Sequence, residues 1–195
     1  CMNNPEKTAF TENLAVQNEL ANPVINEILY DPLQDTKDTI PDQPEFVEIY
    51  NPSTKPIDLT GWSLADRPNA KTGKFNRYYF ALKGGSNILG PGQYGVIAPE
   101  SGGVVATSRL ARYFTYLTDL LEARIFLDKS HKTFNLNNDG DCVRLLNGNS
   151  VIIDSVNYLP GWHNTAYATA KRISLEKINP LLPSDSPASW TSSID

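Results

Sequence analysis

Long apolar runs are missing from this sequence, and their absence argues against one broad class of protein. A membrane-spanning helix needs about 20 consecutive, mainly apolar residues, and no stretch of the chain comes near that length. The mean hydropathy is -0.36. Charged residues make up 20% of the 195 residues. We therefore expect a globular chain, whose length fits one generous domain with appendages.

Basic clusters are also missing. The net charge is -5, and the densest basic stretch, Lys71, Lys74 and Arg77, is diluted by polar residues. Proteins that bind phosphate backbones gather Lys and Arg into patches or stripes. The sequence therefore disfavours nucleic acid as a main partner, although one face of the folded chain could still be basic.

Cysteine is scarce, because the chain has only Cys1 and Cys142. Two thiols this far apart in sequence do not make a disulfide framework. Cys142 falls in a predicted strand, where we expect a small buried hydrophobe. Cys1 leaves two interpretations open: the lipid-modified first residue of a mature bacterial lipoprotein, or a boundary that happens to fall at a cysteine. A possible lipid on Cys1 is the only link to a membrane that the sequence suggests.

The common catalytic signatures are absent as well. The two histidines, His131 and His163, lie in no zinc or nucleophile motif, and we expect a solvated loop position for both. There is no Gly-x-Ser-x-Gly elbow and no phosphate-binding Walker loop. Glu45 and Glu48 fall on one predicted strand at a spacing that makes them face opposite sides, so they form no carboxylate pair. We therefore predict a protein without catalytic residues or a cofactor.

One segment begins like a calcium-binding EF-hand loop but does not continue as one. Asn135, Asn137 and Asp139 precede Gly140 at the expected spacing, but the position that needs a bidentate Glu is Leu146. Asp beside Gly is more common in plain turns, so we predict no metal site. A looser Ca²⁺ site stays open as an alternative, and its candidate ligands are Asp139 and Asp141 or, in the acidic loop at 31–44, Asp31, Asp35, Asp38 and Asp42.

What the sequence does contain is a succession of short, β-rich segments separated by turn residues. Strands are expected at 24–30 and 45–50, and Asn147-Gly148-Asn149 between two β-branched runs indicates a hairpin. Alternation in the second strand places Val47 and Ile49 on one face. Further strands are predicted at 57–59, 62–64, 78–80, 93–98, 125–127, 141–146, 150–156 and 172–178.

This number of short strands, with Gly, Pro and Asn turns between them, predicts an all-β sandwich. Residues 1–22 are polar and are expected to form a linker or anchor segment, so the domain is predicted to span residues 23–195. One stretch departs from the β pattern, because apolar residues recur at helical spacing after Ser108, a residue suited to the N-cap. We expect one amphipathic helix at 108–122, inserted into the sandwich and packed against it.

Several motifs, in this order, resemble the lamin tail domain as it occurs in bacterial secreted and surface proteins. They run from about residue 23 to residue 192 of the chain. The motifs are Val24-Ile25-Asn26-Glu27-Ile28, Glu45-Phe46-Val47-Glu48-Ile49-Tyr50-Asn51-Pro52-Ser53, Ile57-Asp58-Leu59-Thr60-Gly61-Trp62-Ser63-Leu64, Leu89-Gly90-Pro91-Gly92-Gln93-Tyr94, Asn135-Leu136-Asn137-Asn138-Asp139-Gly140-Asp141, Ser174-Leu175-Glu176-Lys177 and Ser189-Trp190.

The resemblance implies an immunoglobulin-like β-sandwich and a non-enzymatic module. The residues of these motifs have structural roles, since Gly61 permits a turn before Trp62, whose ring fills the space between two sheets. In nuclear lamins such a domain follows a coiled coil and binds protein partners, but this chain has no heptad rod, so a filament role does not carry over. The helix at 108–122 and the acidic loop at 31–44 depart from the family pattern, and no binding residue is transferred from the family.

From these observations we expect a secreted or cell-surface binding or spacer module of the lamin tail type, with an unidentified protein or glycan as its ligand. Two alternatives stay open: a lipid-anchored carbohydrate-binding lipoprotein domain, and the accessory domain of a secreted hydrolase. The many aromatic residues, among them Tyr78, Tyr79 and Trp162, are expected mainly in the core. An exposed aromatic row on one sheet face would instead favour a binding platform.

Overall fold

The computed structural model describes residues 22–33, 42–80, 87–99, 133–167 and 171–193, together with the backbone of a strand at 124–128. Strands make up nearly all of the regular structure in these residues. The helix predicted at 108–122, and all of the predicted linker except Asn22, lie outside the described residues. In the part of the chain that is described, no helix is long and apolar enough to span a membrane.

The described residues contain twelve β-strands and two short 3₁₀ segments. The strands are β1 (Val24–Leu29), β2 (Phe46–Tyr50), β3 (Ile57–Asp58), β4 (Ser63–Ala65), β5 (Arg77–Tyr79), β6 (Ile88–Leu89), β7 (Tyr94–Pro99), β8 (Arg124–Asp128), β9 (Asp141–Leu146), β10 (Ile152–Tyr158), β11 (Leu175–Lys177) and β12 (Trp190–Ser192). The 3₁₀ segments are Pro160–Trp162 and Pro187–Ser189.

Two sheets pack against each other to form a β-sandwich. The larger sheet has six strands in the order β12-β11-β1-β2-β7-β8, the smaller sheet has four in the order β10-β9-β4-β5, and β3 pairs with β6 in a separate ribbon. Every pair in these sheets is antiparallel except β7 with β8. A parallel pair needs a connection of a dozen or more residues, and the chain has residues 100–123 between these two strands. The arrangement confirms the all-β, immunoglobulin-like sandwich that the sequence predicts.

The hairpin predicted at Asn147-Gly148-Asn149 joins β9 to β10. The carboxamide oxygen of Asn147 accepts hydrogen bonds of 3.0 Å from the backbone N–H groups of Asn149 and Val151. An Asn side chain that binds its own turn in this way fixes the chain reversal without help from distant residues. The prediction succeeded because the signal is local.

The core lies between the two sheets and contains both aliphatic and aromatic side chains. Val47 and Ile49 are fully buried, as the alternation along β2 predicts. Trp62 and Leu64 are also buried. Tyr78 packs on Phe134 with ring centroids 4.8 Å apart. Burying side chains of this size stabilises a fold by about 2 to 3 kcal/mol each. Other aromatic residues of the described chain, such as Phe75 and Tyr79, are exposed.

The last strand of the larger sheet is one that the sequence pattern did not predict. β12 follows three prolines and the segment Pro187–Ser189, and its Trp190 lies opposite Lys177 of β11. The indole ring of Trp190 is buried, and its Nε1–H donates a 3.0 Å hydrogen bond to the carbonyl of Ser184. The proline-rich tail therefore belongs to the sandwich and closes one edge of it.

Candidate functional site

A polar cleft lies where three connections of the sandwich meet. It has a volume of about 240 Å³. One wall comes from the residues that follow β1 and precede β2, another from the loop before β9, and a third from the turn before β11. The lining residues are Tyr30, Asp31, Pro32, Gln43, Glu45, Pro99, Thr133, Asn135, Asn138 and Lys171. The cleft thus joins the ends of the acidic loop to the Asn-rich segment, the two stretches that depart from a plain strand pattern.

Glu45 anchors one wall of the cleft. Its Oε2 accepts hydrogen bonds from the backbone N–H of Phe134 at 2.7 Å and of Asn135 at 3.1 Å, and its Oε1 accepts one from Leu136 at 2.9 Å. Three backbone N–H donors thus help to satisfy this buried carboxylate. Glu48, by contrast, bonds to Asn26, whose Nδ2–H donates to its Oε1 at 2.9 Å. The two glutamates therefore have separate partners.

Asp31 holds the other two walls together. Its Oδ1 accepts a 2.9 Å hydrogen bond from Asn138 Nδ2 and lies 3.4 Å from Lys171 Nζ. Its backbone carbonyl accepts a further hydrogen bond of 2.7 Å from the N–H of Arg172. These contacts span more than a hundred positions of sequence, which is why the sequence alone gives no sign that Asp31 and Asn138 meet.

Tyr30 is one of the buried residues of the lining. Its ring stacks on Tyr158 with centroids 4.4 Å apart, and its side chain is 1% exposed. Burial, followed by the charge of Asp31, raises the pKa of the Tyr30 hydroxyl to about 12. The hydroxyl is buried and has no hydrogen-bond partner among the described residues. A buried hydroxyl without a partner costs about 1 to 3 kcal/mol, so this cleft retains a polar group that the protein itself does not satisfy.

The segment that opens like an EF-hand is a structural turn. Asp141 is 1% exposed, and its carboxylate accepts hydrogen bonds from the backbone of Asn137, Arg67 and Cys142 and from the side chain of Asn137. Leu146, at the position that needs a bidentate Glu, pairs with Ile152 inside the hairpin. No group of three or more Asp, Glu, His or Cys side chains gathers at a metal-binding distance within the described residues. Asp35 and Asp38 lie outside them.

His163 does not occupy the solvated position that we expected from the sequence. It is 8% exposed, its Nδ1 lies 2.9 Å from Ser192 Oγ, and its ring centroid is 5.7 Å from that of Tyr30. Burial lowers the pKa of His163. The expectation failed because β12, which was not predicted, covers this loop. His131 lies outside the described residues.

Cys142 also differs from its prediction. It does lie in a strand, β9, but it is half-buried rather than buried, because it belongs to the outer face while its neighbours Asp141 and Val143 point inwards. Burial raises the pKa of its thiol. A raised pKa lowers the thiolate fraction at neutral pH, so the thiol is a poor nucleophile.

The groups of the cleft can form hydrogen bonds with a ligand but have little net charge to offer. Asp31 and Lys171 neutralise each other, and the Glu45 carboxylate already receives three backbone donors. The remaining polar groups on the lining are hydroxyls and carboxamides, which are those of Tyr30, Gln43, Thr133, Asn135 and Asn138. Such a lining suits a ligand that carries hydroxyl or amide groups rather than a charged one.

A family model described as Lamin Tail Domain matches residues 17–160. The match includes the strands from β1 to β10 and ends before β11 and β12, which complete the larger sheet. No curated protein matches the chain.

Proposed function

The chain belongs to the lamin tail domain family, and from this premise we propose that it is a non-catalytic binding module whose ligand occupies the polar cleft. The family membership and the sandwich fold support the idea of a module. The cleft supports the idea of binding, because it is a concave site with several convergent polar groups. The ligand that fits this lining best is a neutral saccharide.

The observation that carries the proposal is the unpartnered hydroxyl of Tyr30. Tyr30 lines the cleft, it is 1% exposed, and its hydroxyl has no hydrogen-bond partner in the part of the chain that the structure describes. Folded proteins satisfy most buried polar groups, so an exception calls for an explanation. The hydroxyl has almost no accessible surface, so the lining must shift before a ligand hydroxyl can form a hydrogen bond with it. That hydrogen bond removes the penalty, and the gain appears as binding affinity.

The size and charge of the cleft favour a sugar. A volume of about 240 Å³ is slightly below the roughly 300 Å³ at which pockets for drug-sized molecules begin, so the cleft fits about one ring-sized unit. The side-chain amides of Gln43, Asn135 and Asn138 offer both donors and acceptors, which is what a ring with several hydroxyl groups requires. Among the described lining residues, Asp31 is paired with Lys171 and Glu45 accepts three backbone hydrogen bonds, so these residues favour a neutral ligand over a charged one.

The absence of catalysis is the second part of the proposal. The polar side chains near the cleft serve structural contacts: Glu45 binds the backbone of residues 134–136, and Asp31 binds Asn138 and Lys171. A general acid or base needs a pKa close to the working pH, and the raised pKa of Tyr30, about 12, takes its hydroxyl away from that range.

The test is a binding assay with neutral oligosaccharides of several linkage types, measured by calorimetry on the whole chain and on Tyr30→Phe. We expect one class of oligosaccharide to bind, and we expect the variant to lose about tenfold in affinity, which corresponds to one hydrogen bond. The variant should unfold at the same or a higher urea concentration, because it removes an unsatisfied buried group.

The matched control is Tyr158→Phe. Its hydroxyl donates a 2.9 Å hydrogen bond to the carbonyl of Asn137, so its loss should lower stability by about 1 kcal/mol and leave saccharide affinity unchanged. If no neutral oligosaccharide binds, or if Tyr30→Phe binds as tightly as the parent, the cleft is not the binding site.

We propose a secreted or cell-surface location for this module. The support is the resemblance of its motifs to lamin tail domains of bacterial secreted and surface proteins. Proteolysis of intact producing cells tests it. We expect the protein either to be digested by a protease that cannot enter the cell or to be present in the medium. Full protection of a cell-associated protein would contradict the proposal.

A further inference from the structure

Two arginines lie on the outer face of the smaller sheet. Ala65 of β4 lies opposite Arg77 of β5 on one side and opposite Arg144 of β9 on the other. Residues directly opposite each other on neighbouring strands point to the same face. The next position of β4 is Leu64, which is buried in the core, so Ala65 and both arginines belong to the outer face.

The two arginine side chains extend across β4 in opposite directions. Arg77 donates from Nε to Ser63 Oγ at 2.8 Å and from Nη1 to Ser150 Oγ at 2.9 Å, so it reaches from β5 to the turn after β9. Arg144 reaches from β9 to the other end of β4, where its Nη2 donates to the carbonyl of Asp66. The arginine stems explain why Ser63 and Ala65 are almost fully buried although they face outwards.

Each guanidinium also lies over an aromatic ring. The Cζ atom of Arg77 is 4.8 Å from the ring centroid of Tyr79, and that of Arg144 is 4.5 Å from the ring centroid of Phe75. Tyr79 is 50% exposed and Phe75 is 43% exposed. Contacts of this kind restrict the orientation of the guanidinium plane. The arginines are therefore fixed in position on an open surface.

The charge of this region is positive and only partly compensated, since Arg67 lies 3.8 Å from Asp141 but the other basic side chains form no ion pair within the described residues. The two hairpins that build it, residues 63–79 and 141–158, contain five Lys and Arg residues and three Asp residues. All three Asp side chains have other partners: Asp66 binds Asn76, Asp141 binds backbone N–H groups, and Asp154 binds the other sheet. In the described part of the chain, neither Arg77 nor Arg144 contacts a carboxylate, and Nε of Arg144 is buried without an acceptor.

We propose that this surface binds an anionic polysaccharide, whose carboxylate groups are held by the guanidinium N–H groups that have no partner among the described residues. We call it the arginine face, and it consists of Arg77, Arg144, Phe75 and Tyr79 with Lys71 and Lys74 on the adjoining turn. A guanidinium presents a planar set of donors that matches a carboxylate. Strand spacing places the two arginine backbones about 10 Å apart, so one extended polymer can reach both.

The same features disfavour nucleic acid as the occupant. One face of each exposed ring lies under its own guanidinium, so stacking with bases, on which single-strand binding depends, is restricted. Duplex DNA carries one charge per about 1.7 Å, and the whole chain has a net charge of -5. A polymer with at most one carboxylate per sugar meets less repulsion from the rest of the protein.

The experiment measures the affinity of the whole chain for four probes: polygalacturonate, neutral dextran, heparin and a single-stranded oligothymidylate. We expect polygalacturonate to bind with an affinity that falls as salt is raised, because the contacts are partly exposed and electrostatic. Dextran should not bind. Arg77→Gln combined with Arg144→Gln should reduce the affinity for polygalacturonate at least tenfold.

Three comparisons make the result decisive. Arg172→Gln removes one charge from an exposed turn elsewhere and should change little. Arg77→Lys with Arg144→Lys keeps both charges but loses the planar donors, so its affinity should fall between the parent and the Gln variant even if the Gln variant is less stable. Oligothymidylate binding more tightly than polygalacturonate, equal binding of dextran, or binding of heparin without polygalacturonate would overturn the proposal. Tyr30→Phe should have no effect here, which separates this site from the cleft.

Discussion

The carboxylate of Asp154 in the smaller sheet accepts a 2.7 Å hydrogen bond from the backbone N–H of Ile25 in the larger sheet. β11 pairs with β1 only at Glu27 and Ile28, so the edge of β1 at Ile25 lacks a strand neighbour, and Asp154 takes its place. The same carboxylate oxygen accepts from Ser184 Oγ at 2.8 Å. One side chain therefore ties together both sheets and the loop after β11.

We expect Asp154→Ala to lower the free energy of unfolding by about 2 kcal/mol, because it leaves the Ile25 N–H without an acceptor. It also removes the nearest carboxylate to the buried ammonium of Lys177, which contacts Ser184 at 2.7 Å. Urea unfolding followed by tryptophan fluorescence measures the change. The control is Asp139→Ala, an exposed turn position that should stay within about 0.5 kcal/mol of the parent. Equal stability of the two variants would show that Asp154 is not a link between the sheets.

Glu48 makes the fold less stable at neutral pH than at acid pH. Burial, with a smaller contribution from the charge of Glu176, raises the pKa of Glu48 to about 7, while the hydrogen bond from Asn26 opposes the shift. The folded state therefore holds this proton more tightly than the unfolded state. The contribution of protonated Glu48 to the free energy of unfolding is fully present below about pH 4.5 and is lost as pH rises through about 7.

We expect Glu48→Gln to be more stable than the parent by about 2 to 3 kcal/mol at pH 8 and equal to it near pH 4.5. Glutamine keeps an oxygen that accepts from Asn26 and carries no charge. Chemical unfolding at a series of pH values gives both numbers. Glu176→Gln removes only the smaller contribution to the raised pKa of Glu48, so it should increase the free energy of unfolding at pH 8 by less than Glu48→Gln does. The raised pKa would be contradicted if the free energy of unfolding of the parent, relative to that of Glu48→Gln, did not fall between pH 4.5 and pH 7.5.

The parts of the fold that could be predicted from sequence are those whose signals are local. Asn147 satisfies its own turn, and Val47 and Ile49 stand on either side of Glu48, so the hairpin and the buried strand face follow from short windows. β12 was missed because a strand that joins an edge after several prolines depends on a distant partner, here Lys177 of β11. The burial of His163 follows from that distant pairing and could not be predicted without it.

The candidate sites depend even more on distant contacts. Asp31 and Asn138 carry ordinary turn signals in separate segments, and only the closed sandwich brings them within 2.9 Å. The arginine face depends on a register that places Arg77 and Arg144 on either side of Ala65. The sequence allowed that one face could be basic, but it could not say which residues form it, since charge spacing along the chain does not report which strands are neighbours.

Gly140 should be intolerant of a side chain. Its φ is +117°, and an added Cβ would lie 2.7 Å from Leu159 Cδ2 and 2.9 Å from the carbonyl oxygen of Tyr158. Both the positive φ and the short contacts of an added Cβ disfavour any residue other than glycine at this position. We expect Gly140→Ala to lower the free energy of unfolding by about 2 kcal/mol or more. Gly161→Ala is the control, because nothing lies within 4 Å of its added Cβ. Similar unfolding curves for the two variants would contradict the geometry of this turn.

His163 should make the fold sensitive to acid, with a sign opposite to that of Glu48. Burial lowers the pKa of His163, so between its folded pKa and the unfolded value of about 6.5 the unfolded state binds the extra proton. Its contribution to stability is therefore present above about pH 6.5 and is lost as pH falls through the folded pKa. As pH falls over part of the same range, protonation of Glu48 stabilises the fold, so the two effects partly cancel in the parent.

The histidine effect becomes visible once the glutamate is removed. In the Glu48→Gln background, we expect the free energy of unfolding to fall as pH is lowered from 7 to 5, and we expect His163→Gln in that background to abolish the fall. Glutamine is uncharged and can still reach towards Ser192 Oγ, which accepts from the N–H of Asn164 at 2.9 Å. Nuclear magnetic resonance titration of the imidazole provides an independent reading of its pKa. A midpoint at or above 6.5 in the folded protein would contradict the buried, neutral histidine on which this prediction rests.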